Sequence, residues 1–146
     1  MKTSKADIDQ AFWVSAIIWF IMVLAQLTFL ALVVSAKPQL LMVSGADIFG
    51  KDTFFVIGFA FLAMVNFVIS MFVKKWAIGQ AVAEKEMRYV QTGLVIGSAF
   101  CESISLMGCV MALVFDYPYF YAWFVFGLAG IVMHFPRKAD LAAAAK

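Results

Sequence analysis

Glu102 is out of keeping with its surroundings, because it lies well inside an apolar run from Tyr89 to Phe115. A carboxylate at the depth of a membrane helix costs on the order of 2.5–3.5 kcal/mol on insertion scales. Such a carboxyl is expected to stay neutral at pH 7 unless a cation or a donor compensates it. On a helix, Ser98 falls one turn before Glu102 and Ser105 one turn after it, on the same face, and Ser103 follows it directly. Beside them Gly97, Cys101, Ser105, Gly108 and Ala112 make a stripe of small residues, which lets another helix approach closely. On the preceding apolar run Ala63, Asn66 and Ser70 share a face, so Asn66 is placed to hydrogen-bond Glu102 if the two runs form a hairpin. The chemistry of this set is reversible binding of a proton or a sodium ion, with Glu102, Ser103, Asn66, Ser98 and Ser105 as candidate ligands. The competing reading is a neutral carboxyl hydrogen-bonded to serines or to a partner subunit, fixing assembly. Asn66 and Gln26 also suit plain interhelical hydrogen bonding, and Ser103 and Ser105 suit bonds to their own backbone.

The elements that must position these residues follow from composition. Of 146 residues 65% are hydrophobic and 14% charged, too little charge to cover a soluble domain, so the bilayer must be the solvent for most of the chain. Four apolar runs predict transmembrane helices over about 11–35, 53–73, 89–115 and 119–135. The fold class is an all-α integral membrane protein with four transmembrane helices in one bundle, residues 1–146, with no separate soluble domain. Ala36 to Asp52, with Pro38, Gly45 and Gly50, reads as a surface loop, and Asp116-Tyr117-Pro118 as a tight turn. Ala77 to Arg88 is polar but rich in helix formers, so it should extend the flanking helices beyond the headgroups. The fourth run is short and should cross with little tilt. Ala139 to Lys146 reads as an exposed, frayed tail.

Cation placement orients the bundle. Lys2, Lys5, Lys74, Lys75, Lys85, Arg88, Arg137, Lys138 and Lys146 fall in the two tails and the middle loop, whereas the other two loops hold Lys37 and Lys51. The positive-inside rule puts both termini in the cytoplasm, as in a multi-pass protein of a bacterial-type inner or plasma membrane. A net charge of +2 is too small to suggest nucleic acid. Cys101 and Cys109 would sit roughly 12 Å apart along one helix, too far to bridge. His134 reads as an interfacial residue at the end of the fourth helix; a lone His is no haem site without a second ligand. No metal-ligand spacing, nucleophile–base pair or phosphate loop is present, so no catalytic role and no cofactor beyond H⁺ or Na⁺ is expected.

The middle of the chain resembles the c subunit, or proteolipid, of rotary ATP synthases. The resemblance rests on Ala77-Ile78-Gly79-Gln80, on Gln91 through Glu102 (QTGLVIGSAFCE) and on Gly108 through Leu113 (GCVMAL). It implies a helical hairpin, here helices 2 and 3, with a polar cytoplasmic loop and one ion-binding carboxylate midway along the second helix. Glu102-Ser103 matches the sodium-binding members, and Asn66 stands near the place of their partner-helix Gln. The small-residue stripe of the third helix needs a close partner, which predicts a homo-oligomer, with copies of itself and other membrane subunits as partners; the resemblance further implies that a second protein supplies the cation that displaces the bound ion. The chain departs from the family in the stretch from Thr53 to Val73, which has bulky residues and only Gly58 where the family is Gly-rich. The loop lacks an Arg-Gln pair, and the first and fourth helices are additions. These departures fit a second class of function, an accessory or self-assembling scaffold subunit of a larger membrane complex.

Overall fold

The computed structural model describes residues 5–42 and 53–145, and every regular element among them is helical. α1 spans Lys5–Ala36, α2 Thr53–Glu84, α3 Arg88–Phe115, α4 Tyr121–Met133 and α5 Lys138–Ala144, with a short 3₁₀ turn at Pro38–Met42. The loop expected up to Asp52 lies outside the described residues from position 43 on, as do Lys2, Lys51 and Lys146. Three helices, α1, α2 and α3, are long and apolar enough to cross a membrane. At 1.5 Å per residue they run about 42–48 Å, well beyond the roughly 30 Å of a hydrocarbon core.

Each helix ends for a local reason. Pro38 lacks an N–H and disfavours helical geometry at Lys37, so α1 stops. Lys85 takes a left-handed conformation (φ 56°), and Glu86 N donates back to Ala81 O at 3.1 Å, which closes α2. The middle loop is thus mostly helix: α2 continues through Glu84 and α3 starts at Arg88. Asp116 is also left-handed (φ 51°) and ends α3 just before Pro118.

Residue pairing fixes the topology. Phe55 meets Phe115, Asn66 meets Ser103, Cys101 meets Ser70 and Gly93 meets Ala77, so one number falls as the other rises. α2 and α3 are therefore antiparallel, and they share the largest interface in the molecule. α1 runs parallel to α3, pairing Ala11 with Gln91, Gln26 with Cys101 and Lys37 with Asp116. α4 is antiparallel to α1, with the indole N–H of Trp19 donating to Ile131 O at 2.8 Å.

α4 has 13 helical residues, about 20 Å, shorter than the span expected over 119–135. Pro118 and Pro136, on either side, limit it. The alanine-rich tail is not a frayed, exposed segment: Leu141 and Ala144 are fully buried in a cluster with Ala81 and Val90, against Ile8 and Phe12. A helix whose small residues can close on three neighbours gains more from burial than it loses in chain entropy. The start of α1, the α2–α3 turn and α5 thus gather at one end of the bundle, with Lys5, Lys74, Lys75, Lys85, Arg88, Arg137 and Lys138; Lys37 is the cation at the other end among the described residues.

Candidate functional site

α3 lies at the centre, and its two working faces have different fates. Toward α2, the Asn66 side-chain amide donates to Ser103 Oγ at 2.8 Å, and the Ser103 hydroxyl donates to Phe100 O at 2.7 Å. Asn66 therefore pairs with Ser103 and not with Glu102, because Ser103 is rotated about 100° from Glu102 around the helix. These two candidate ligands form a closed interhelical clamp, separate from the Glu102 face.

Toward α1 and α4 the accounting is different. Among the described residues four side-chain oxygens are buried without a hydrogen-bond partner: Gln26 Oε1, Ser98 Oγ, Glu102 Oε1 and Ser105 Oγ. Ser98 and Ser105 are fully enclosed, Gln26 is 2% exposed, and Glu102 is half-buried. Ser98, Glu102 and Ser105 share one face of α3, at steps of four and three. Gln26 joins them from α1, its amide N–H reaching Cys101 O at 3.4 Å, one residue before Glu102. Gln26 and Ser105 meet at Gly127 of α4. A Cβ there would collide with Ser105 Oγ and come within 2.9 Å of Gln26 Nε2 and 2.8 Å of Cys101 O. Gln26, read from the sequence as an interhelical hydrogen-bonding residue and not as a ligand, makes that bond to Cys101 O and brings its own carbonyl oxygen to this face. Its signal was present, as the only strongly polar residue inside the first apolar run.

The small-residue stripe does what its spacing predicted, but within the chain. Gly108 lies under Trp123 and Phe120, where an added Cβ would be 2.8 Å from Trp123 Cβ. Cys101 Sγ lies 2.5 Å from where a Cβ on Gly130 would sit, and Ala112 is buried with Val33 and Phe120. Gly97 packs directly on the ring of His134. His134 is enclosed by the protein: it is 2% exposed, with Nδ1 2.8 Å from Gly130 O and Nε2 3.2 Å from Ser70 O. A neutral imidazole donates to one of these carbonyls only. The sequence hid this because the ring's berth is made by a glycine on another helix.

No family model, curated protein or solved structure matches the chain. The functional reading therefore rests on the geometry. Cys101 and Cys109 are both free thiols. Among the described residues no three His, Cys, Asp or Glu side chains converge. What the Glu102 face offers is a set of oxygen atoms from two helices, one of them a carboxyl oxygen, each buried without a hydrogen-bond partner. Oxygens left unpartnered in this way can take up a proton on the carboxyl, an ordered water, or a small hard cation such as sodium.

Proposed function

We propose that the chain is a four-span membrane-embedded subunit that takes up and releases a proton or a sodium ion at Glu102, with Ser98, Ser105 and Gln26 completing the site. The observation that carries this reading is the layer of four buried, unpartnered oxygens on one side of α3. In a hydrocarbon solvent no bulk water satisfies such atoms, and each unmet group costs several kcal/mol. A proton or cation bound at Glu102 relieves the part of that penalty that falls on the carboxyl and the oxygens it reaches. The antiparallel pairing of α2 with α3, with the carboxyl midway along α3, is the arrangement that the proteolipid resemblance implies. The clustering of cations at one end supports placing that end, and both termini, in the cytoplasm of a bacterial-type membrane. α4, continued by the turns on either side, is the fourth span.

A second reading has its own support. Gly97, Cys101, Gly108 and Ala112 are covered by α2, α4 and α1 of the same chain, so the stripe does not call for a second copy to fill it. The lipid-facing surface of α2 carries Phe54, Phe61 and Phe72, bulky residues that oppose a tight ring. Both features favour an accessory or scaffold subunit, in which Glu102 fixes assembly with another membrane protein.

Carbodiimide labelling of the protein in native membranes, mapped by mass spectrometry across pH and with or without sodium, tests the first reading. Labelling of Glu102 that falls as pH rises, or that sodium blocks, is the expected result. Labelling should vanish in Glu102→Gln while the protein still assembles. A Glu102 that stays unlabelled at every pH would sink the ion-site reading and leave the assembly role.

A further inference from the structure

The cation-rich end of the bundle contains a shallow recess between α2, α3 and the link from α4 to α5, whose own space is about 20 Å³, room for roughly one water. Ile78, Leu94 and Phe135 give it an apolar wall, and Lys74 and Arg137 give it two cations. Lys74 is half-buried, and its ammonium donates to Met133 O at 2.6 Å. Burial holds the Lys74 amine below the ordinary lysine range, and the nearby Arg137 charge pushes the same way, against a smaller opposing effect of Asp140. Two like charges thus face one recess. Arg137 is exposed and makes no ion pair among the described residues, whereas the neighbouring Lys138 is engaged with Asp9 at 2.6 Å. This pocket is unrelated to the Glu102 layer and does not depend on its reading.

We propose that this recess binds the phosphate of an anionic phospholipid headgroup. The phosphate lies at the mouth of the recess, between Arg137 and Lys74, and the exposed ring of Phe135 flanks the glycerol. The position argues for a lipid and not for a free anion. Lys74 is the first charge after the long apolar stretch of α2, at the level where headgroups lie, and Trp76 follows it as an interfacial anchor. Basic pockets between transmembrane helices on the cytoplasmic side are suited to lipid phosphates, and Arg adds two-point recognition that Lys does not. Asp140 lines the same recess and opposes the anion.

Native mass spectrometry of the full chain in detergent tests this, titrating phosphatidylglycerol or phosphatidylcholine of identical acyl chains. The expected result is about fivefold tighter binding of phosphatidylglycerol, the increment of one cation near a headgroup. Arg137→Gln should remove most of that preference with an unchanged melting temperature. Lys75→Gln, which removes the same charge from outside the recess, should keep it, and Asp140→Asn should strengthen it. Equal binding of the two lipids would overturn the proposal, as would equal losses in Arg137→Gln and Lys75→Gln. Displacement of phosphatidylglycerol by millimolar inorganic phosphate would overturn the lipid assignment in favour of a free-anion site.

Discussion

The two polar faces of α3 use similar residues at similar depth and reach opposite outcomes. On the α2 side an amide and a hydroxyl satisfy one another, Asn66 to Ser103 and Ser103 to its own backbone. On the α1 and α4 side an amide oxygen, two hydroxyls and a carboxyl oxygen are buried and left without donors. The first face is complete, so it holds two helices together and has nothing left to offer. The second is incomplete, and an incomplete buried layer is expensive unless something occupies it. Polar residues in a membrane helix are therefore not equivalent evidence of function; what separates them is whether the fold itself closes their hydrogen bonds.

The largest effect should come from closing the gap that the second face is built around. Gly127 lets α4 approach until Ser105 Oγ, Cys101 O and Gln26 Nε2 lie where its side chain would be. Gly127→Val should destabilise by about 3 kcal/mol, the upper end of overpacking effects, and should abolish carbodiimide labelling of Glu102. Gly58 has nothing within 4 Å, so Gly58→Ala should leave stability unchanged or raise it by about 0.5–1 kcal/mol. Reversible unfolding in mixed detergent measures both. Equal losses in the two variants would mean that tight packing at Gly127 is unimportant to the layer.

Much of this was legible in the sequence. Apolar run lengths give three of the long helices, and three- and four-residue steps put Ser98, Glu102 and Ser105 on one face and assemble the small-residue stripe. What could not be read was which neighbour each face meets. Asn66 was placed on the correct helix and near the correct level, but one residue of rotation on α3 decides between Ser103 and Glu102. Gln26 belonged to a helix that the hairpin pattern left out. His134 and the alanine tail looked exposed because their burial depends on Gly97 and on Ile8, Phe12 and Ala81, contacts that no local pattern encodes.

Next in size is a change of sign. Ser105 Oγ is fully enclosed and unpartnered, so removing it takes away a desolvated group and no hydrogen bond. In sodium-free buffer Ser105→Ala should be more stable than the parent by about 1–2 kcal/mol. If sodium is the guest, added sodium should stabilise the parent and not the variant, and the gain should shrink or reverse. A Ser105→Ala variant that is less stable under every condition would show that the hydroxyl is already satisfied and that the layer is closed.

The opposite face should behave conventionally. Asn66→Leu deletes the donor to Ser103 and fills the space with an apolar side chain. Interhelical hydrogen bonds of this kind average about 0.6 kcal/mol, with a maximum near 1.7, so a loss of about 1 kcal/mol is expected. It should be independent of sodium, and the pH profile of Glu102 labelling should not move. A shift of that profile in Asn66→Leu would break the separation of the two faces and return Asn66 to the ion site.

The smallest effect concerns the end of the bundle and guards the interpretation of any pH response. The hydrogen bond from Lys138, reinforced by its charge, holds the Asp9 carboxyl below the ordinary carboxylate range. A carboxyl lowered by folding stabilises at and above its ordinary range, and that contribution is lost as pH falls through the lowered folded value. The Asp9–Lys138 tie between α1 and α5 should therefore be intact at pH 5 and above and released only in stronger acid. Spin labels on the exposed positions Ala6 and Ala139 report it: their distance distribution should broaden in the parent only in acid well below the ordinary carboxylate range, and should already be broad at pH 7 in Asp9→Asn. Between pH 5 and 9 the Glu102 labelling profile should be the same in both proteins. If Asp9→Asn shifts it, the pH dependence reflects opening of α5 and reagent access from that end, and not proton exchange at Glu102 itself.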